Sequence, residues 1–256
     1  MNWKTFFAML SRDGHVARRN LLPTLMQNLL QPLLLTFVFG RILTSTGMMQ
    51  GAYKNVLLPG IIAISMSMSG IWAVAMPLLS EFQFTKEIED RLLAPMQTHW
   101  LAVEKVVAGM IQAIVSGIVV IPAAYLTMGS GANISFARPL EFLAVCLLVA
   151  LFSAAGGLTL GCSISQQHIG LMFSMIIAPM IMFGCAYYPW SALKNFPGMQ
   201  YAVLINPLVY ASEGLRGTLA PQVPHISIPV IIGVLAAFDV IFVAVGIMKF
   251  NQKAVS

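Results

Sequence analysis

Side chains able to do chemistry are sparse in this chain, and they are not grouped as an enzyme would need. His15, His99, His168 and His225 fall in four separate non-spanning segments, so neither a metal cluster nor a shared acid–base pair is expected from them. No G-x-x-x-x-G-K-[ST], G-x-S-x-G or H-E-x-x-H pattern occurs. There is thus no phosphate loop, nucleophile elbow or zinc helix to build on. Cys146, Cys162 and Cys185 are odd in number and lack ligand spacing, so they read as small apolar packing residues. The 17 methionines carry thioethers that would suit Cu(I). Met66 and Met68, however, lie two apart and so on different faces of a helix, and packing filler is the better reading.

Two charged features remain. Asp239 is the one acid well inside an apolar run. A carboxylate there costs roughly 3 kcal/mol on insertion scales, so it should face the bundle interior or water. It either contacts a proton or a substrate, or it is a protonated or hydrogen-bonded structural residue; the residue alone leaves both open. Glu213 and Arg216 are three apart, share a helix face and can pair. A local ion pair and a lid for an amphipathic substrate are both compatible with that spacing. Glu141, at a span start, reads as interfacial.

Composition dictates what must position these groups. Charged residues are 9% of the chain, against roughly 25% in soluble domains. The apolar share is 58% and the mean hydropathy +0.83, so the bilayer is the solvent and an all-α membrane protein is expected. The 256 residues suffice for about six spans of roughly 20 residues. Net charge is +5, but the basic residues sit at span ends without forming a basic face. Membrane orientation explains them, and no nucleic acid is expected. No cleavable signal peptide is expected.

The apolar pattern predicts one transmembrane domain over 1–256. Residues 2–20 carry Trp3, Phe6, Phe7 and Leu10 at helical spacing beside Lys4, Arg12, Arg18 and Arg19, the pattern of an interfacial amphipathic helix on lipid. Spans are predicted at 21–43, 56–79, 106–128, 140–164, 169–186 and 228–248. Small residues at 65–70 and 153–157 should let helix backbones approach closely. The link 165–168 is so short that its flanking helices must be antiparallel neighbours. Residues 187–227 are semi-polar, aromatic and broken by five prolines; a re-entrant or interfacial helical hairpin fits them better than a span. Residues 80–105 hold five of the nine acids, Glu81, Glu87, Glu89, Asp90 and Glu104, and read as an exposed amphipathic handle for a soluble partner. With the N-terminus inside, nine Lys and Arg residues lie inside and five outside, so both termini and the handle are expected to be cytoplasmic.

Three features together resemble a known family. They are the interfacial helix before six spans, the EIEDRLLAP segment at 87–95, and the hairpin with Tyr188-Pro189, Phe196-Pro197, Asn206-Pro207-Leu208-Val209-Tyr210 and Glu213-Gly214-Leu215-Arg216. The whole chain resembles the permease subunit of a type-2 ABC exporter of the drug-resistance, nodulation-factor and polysaccharide group. The resemblance implies a bacterial inner-membrane protein that pairs with a second permease copy and docks two cytoplasmic ATPase subunits. Those partners would bind ATP and Mg, and this chain would bind no cofactor. Lys86, Glu87, Glu89, Asp90, Arg91, Leu92, Leu93, Ala94 and Pro95 would form the coupling helix. Tyr187, Tyr188, Pro189, Trp190, Pro197, Asn206, Pro207, Tyr210, Glu213 and Arg216 would form the re-entrant outer gate. Export of a hydrophobic or amphipathic compound is the leading expectation, with polysaccharide or glycolipid export as the alternative. An intramembrane enzyme is a further possibility, for which only Asp239 and several serines are available, and an anchoring or receptor protein is another.

Overall fold

The structure, a computed structural model, describes residues 8–15, 30, 33–47, 53–83, 98–128 and 135–255. Among them all regular structure is helical. Helix α1 covers 8–15. It is followed by α2 (Leu33–Ser45), α3 (Tyr53–Gln83), α4 (Thr98–Met128), α5 (Pro139–Ser163) and α6 (Ile169–Met182). Short 3₁₀ turns at Trp190–Asn195 and Val203–Ile205 flank α7 (Pro197–Ala202), and α8 (Pro207–Leu219) and α9 (Ile228–Val255) complete the bundle. Helices α3, α4, α5 and α9 are long and apolar enough to cross a bilayer, while α2 and α6 are shorter apolar helices.

Helix α3 is the core of this multi-pass bundle. The most apolar stretch of α3 is 72% buried against 22% for α9, so α3 is wrapped by protein and α9 faces outward along most of its girth. The small residues expected to allow close approach do so. A Cβ built on Gly157 would lie 2.6 Å from the Ile71 carbonyl oxygen, and Ser153 packs against Gly70, so α3 and α5 touch backbone to backbone. These paired positions rise together along both chains, so α3 and α5 run parallel. Helix α4 is antiparallel to α3, with residue 109 against Val74 and residue 117 against Met66. Helix α9 parallels α5. Val145 and Ile231 meet at residue 214, and further along the Thr159 hydroxyl donates to the Phe242 carbonyl at 3.2 Å.

Several predicted boundaries shift. The fifth apolar run, expected to continue to 186, ends as a helix at Met182, because Cys185 adopts a left-handed conformation (φ 51°) that no helix accommodates. Helix α9 runs on to Val255, so Lys249 and Lys253 belong to it rather than following it. The charged stretch 80–105 is not a free handle along its full length. Its ends are the last turn of α3 and the first two turns of α4, and Glu81, Glu104 and Lys105 are buried. The middle of that stretch, with Lys86, Glu87, Glu89, Asp90, Arg91, Leu92, Leu93, Ala94 and Pro95, lies outside the described residues. So do most of 2–20 and the start of the first apolar run.

Candidate functional site

Polar side chains converge at the two ends of α3. At its C-terminal end the Lys105 ammonium donates to Glu81 Oε1 at 2.7 Å and to Asp13 Oδ2 at 2.9 Å. The Lys105 side chain is only 4% exposed. Three segments, α1, α3 and α4, are thereby tied together where α3 leads into residues 84–97. Such a desolvated cation is tolerated because two carboxylates answer it.

At the N-terminal end lies the segment 185–226, organised by Glu213 and Arg216. All thirteen residues of α8 are buried, and the side chains of both charged residues are fully so. The predicted i,i+3 pairing is present: Arg216 Nη1 donates to Glu213 Oε1. The pair reaches much further than a local bridge. Glu213 Oε1 also accepts from the Trp190 backbone N–H at 2.9 Å, and Oε2 accepts from the Ile226 N–H at 3.1 Å. Arg216 Nη2 donates to the carbonyls of Cys185 (2.8 Å), Ala186 (3.4 Å) and Val56 (3.3 Å). Apart from the Val56 carbonyl, which lies within α3, both ions are therefore spent on backbone groups of turns outside the α-helices, which would otherwise need partners. The carboxylate serves as an acceptor on both oxygens, which suits a lock rather than a base.

The other hairpin residues extend this framework. Asn206 caps α8 by accepting from the Leu208 N–H at 3.0 Å, and its amide donates to the Met180 carbonyl at 2.7 Å, joining α8 to α6. Pro197 and Pro207 occupy the first turns of α7 and α8, where a missing N–H costs nothing. Pro189 precedes the 3₁₀ turn in extended conformation. The Trp190 indole N–H donates to the Gln200 carbonyl at 2.9 Å. The Tyr188 hydroxyl donates to the Met182 carbonyl at 3.2 Å, and the Tyr53 hydroxyl to the Tyr187 carbonyl at 2.8 Å. Tyr210 is buried, with its ring 6.2 Å from that of Phe238 on α9.

Asp239 stands apart from both clusters, on the buried stripe of α9 with Ile231 and Leu235. Neither of its carboxylate oxygens finds a hydrogen-bond partner among the described residues. That geometry gives no hydrogen bond to a structural carboxylate among the described residues, and it is compatible both with a protonated structural residue and with a proton or substrate contact. Among the described residues no group of three or more His, Cys, Asp or Glu side chains could hold a metal ion.

Sequence reasoning missed the Asp13–Lys105–Glu81 cluster, whose members are 92 and 24 residues apart and carry no spacing signal. It also missed the carbonyls of Val56, Cys185 and Ala186, since any residue type supplies a carbonyl. Gly184-Cys185 after an apolar run was the available hint of a left-handed stop.

The sequence is similar to that of known proteins over most of its length. The chain is 26% identical over 244 residues to the inner membrane transport permease YadH of Escherichia coli K12, covering 94% of this chain and 92% of that protein. The same extent and identity hold for the permeases of that name from Escherichia coli O157:H7 and Shigella flexneri. The ABC-2 type transporter family matches residues 4–220, a stretch that runs from the N-terminal segment through α8. With that coverage, this multi-pass helical bundle belongs to the ABC-2 type transporter family.

Proposed function

We propose that this chain is the membrane-spanning permease subunit of an ATP-driven exporter in the bacterial inner membrane. Membership of the ABC-2 type transporter family over residues 4–220 carries the reading, and the relatives named transport permeases support it. One domain of six crossings pairs with a second copy, and both termini are cytoplasmic. Lys86, Glu87, Glu89, Asp90, Arg91, Leu92, Leu93, Ala94 and Pro95 dock a separate ATPase that supplies ATP and Mg chemistry. The buried Lys105 cluster ties α1, α3 and α4 together near the ends of α3 and α4 that flank this segment in the chain. The elements from Tyr187 to Arg216 form the re-entrant outer gate, and Asp239 is a polar site inside the membrane. The substrate is a hydrophobic or amphipathic compound, with a polysaccharide or glycolipid as the alternative. No enzymatic step belongs to this chain.

Co-purification tests the reading. Wild-type chain expressed with its ATPase should bring that subunit through affinity purification in detergent, and Glu89→Lys, Asp90→Lys and Leu93→Asp together should abolish the association. Retention of the ATPase by that triple variant would overturn the assigned docking segment. Activity of the purified chain alone on a lipid substrate, without ATP, would overturn the transporter reading.

A further inference from the structure

Helix α6 is not a plain α-helix. The Phe173 N–H bonds three and four residues back, to Gly170 and Ile169, whereas the Ala178 N–H bonds five residues back, to Phe173. Phe173–Ile177 is thus one wide π turn holding a surplus residue, a form that is rare in proteins and recurs at functional sites. Two features of the sequence call for it. The buried anchors of this stretch are Met172, Ile177 and Ile181. Met172 and Ile177 are five apart, which in an α-helix would separate them by roughly 140°; the wide turn brings both onto the bundle. Pro179, two residues further on, lacks the N–H that a regular ladder needs, and its ring presses on the carbonyl four residues back. The Ser174 hydroxyl donates to the carbonyls of Gly170 (3.0 Å) and Leu171 (3.3 Å), partners for the donor that a loosened backbone inside lipid requires.

The two halves of α6 are tied to different elements. At the start of the turn Phe173 stacks on Trp72 of α3, with ring centroids 6.4 Å apart. Beyond it the Met180 carbonyl accepts from Asn206 at 2.7 Å and the Met182 carbonyl from Tyr188 at 3.2 Å. The outer side of the turn is open. Phe173, Ser174, Met175 and Ile176 are exposed, so no described side chain blocks its narrowing.

We propose that this turn is a joint. Its surplus residue lets α6 pass between the wide form and a plain α-helix, rotating the Ile169–Phe173 half by roughly 100° against the half held by Asn206 and Tyr188. The wide form seats both anchors; the plain form regains a regular ladder and gives up the seat of Met172. In the plain form four residues complete the turn that five complete in the wide one, so Ser174 takes the place of Phe173 opposite Trp72. The face that α6 presents changes without unfolding. The joint stands independently of the transport reading.

Cross-linking distinguishes the two forms. The full chain carries Cys146→Ala, Cys162→Ala, Cys185→Ala and Trp72→Cys, with either Phe173→Cys or Ser174→Cys, and is placed one chain per lipid nanodisc. A short membrane-permeant bis-methanethiosulfonate is added, and intramolecular pairs are timed by mass spectrometry. Both pairs should form, at rates within tenfold of each other. Deleting Met175 sets the anchors four apart, where a plain α-helix seats both and leaves position 173 opposite position 72. That variant should fold; its Phe173→Cys pair should persist and its Ser174→Cys pair should slow at least tenfold. A Ser174→Cys pair equally fast with and without Met175 overturns the proposal. So does one more than tenfold slower than the Phe173→Cys pair in the full-length chain, since that is a single fixed turn. Should the deletion fail to fold, Pro179→Ala, which restores the missing N–H, must raise the Ser174→Cys rate at least threefold relative to Phe173→Cys; an unchanged ratio overturns the joint.

Discussion

Replacing Lys105 by methionine removes an ammonium that holds Glu81 at 2.7 Å and Asp13 at 2.9 Å. Methionine matches the aliphatic stem, so the change is close to a deletion of charge. Two carboxylates whose side chains are 9% and 16% exposed then face one another without the cation between them. Removing one partner of a buried ion pair costs about 3–5 kcal/mol. The residual exposure of Asp13 lets water soften the loss, so about 3 kcal/mol is expected. For a chain of this size that is a fall of about 6–12 °C in melting temperature, readable by intrinsic tryptophan fluorescence of the purified chain in detergent. The triple variant Asp13→Asn/Glu81→Gln/Lys105→Met should recover most of the loss, because a fully neutral set is about as stable as a buried ion pair. A melting temperature of Lys105→Met within about 2 °C of wild type would refute the assignment of the cluster as a structural tie. Failure of the triple variant to recover would place the loss in packing instead.

Further outcomes follow from single positions. Gly157→Ala should destabilise by about 1–3 kcal/mol by overpacking α3 against α5, whereas Gly156→Ala, where an added Cβ meets nothing within 4 Å, should be neutral or mildly stabilising; the same fluorescence melts in detergent compare them. Asp239→Leu should raise stability by about 2 kcal/mol, since it removes a carboxylate with no partner among the described residues, and a drop in melting temperature would show that the carboxylate is satisfied.

The helical bundle was legible because its signals are local. Apolar runs set the long helices, and the small-residue run at 153–157 was visible, although its partner on α3 was not. The Glu213–Arg216 spacing foretold a pair that does form. What escaped were features created by tertiary approach. The burial of Glu81 and Lys105 depends on Asp13, a residue from another helix, so a run of charges that looks solvent-exposed is partly internal. The true partners of Arg216 are carbonyls, which leave no trace in residue type. The early end of α6 depends on one left-handed residue, and a hydropathy pattern that remains apolar through Ala186 hides it.

The shared direction of α3, α5 and α9 has a consequence for the chain between α5 and α9. Two neighbours entering a bilayer from the same face demand an odd count of return journeys in the connector. Here the longest continuous coil available for that journey is α6, 14 residues from Ile169 to Met182, or about 21 Å, against roughly 30 Å of hydrocarbon. On the six-crossing arrangement proposed above, the remaining roughly 9 Å falls to non-helical main chain, whose amides and carbonyls hydrocarbon will not solvate. On that reading, a buried arginine fanned across three carbonyl oxygens, answered by a glutamate under two amides, supplies the partners that such a stretch requires.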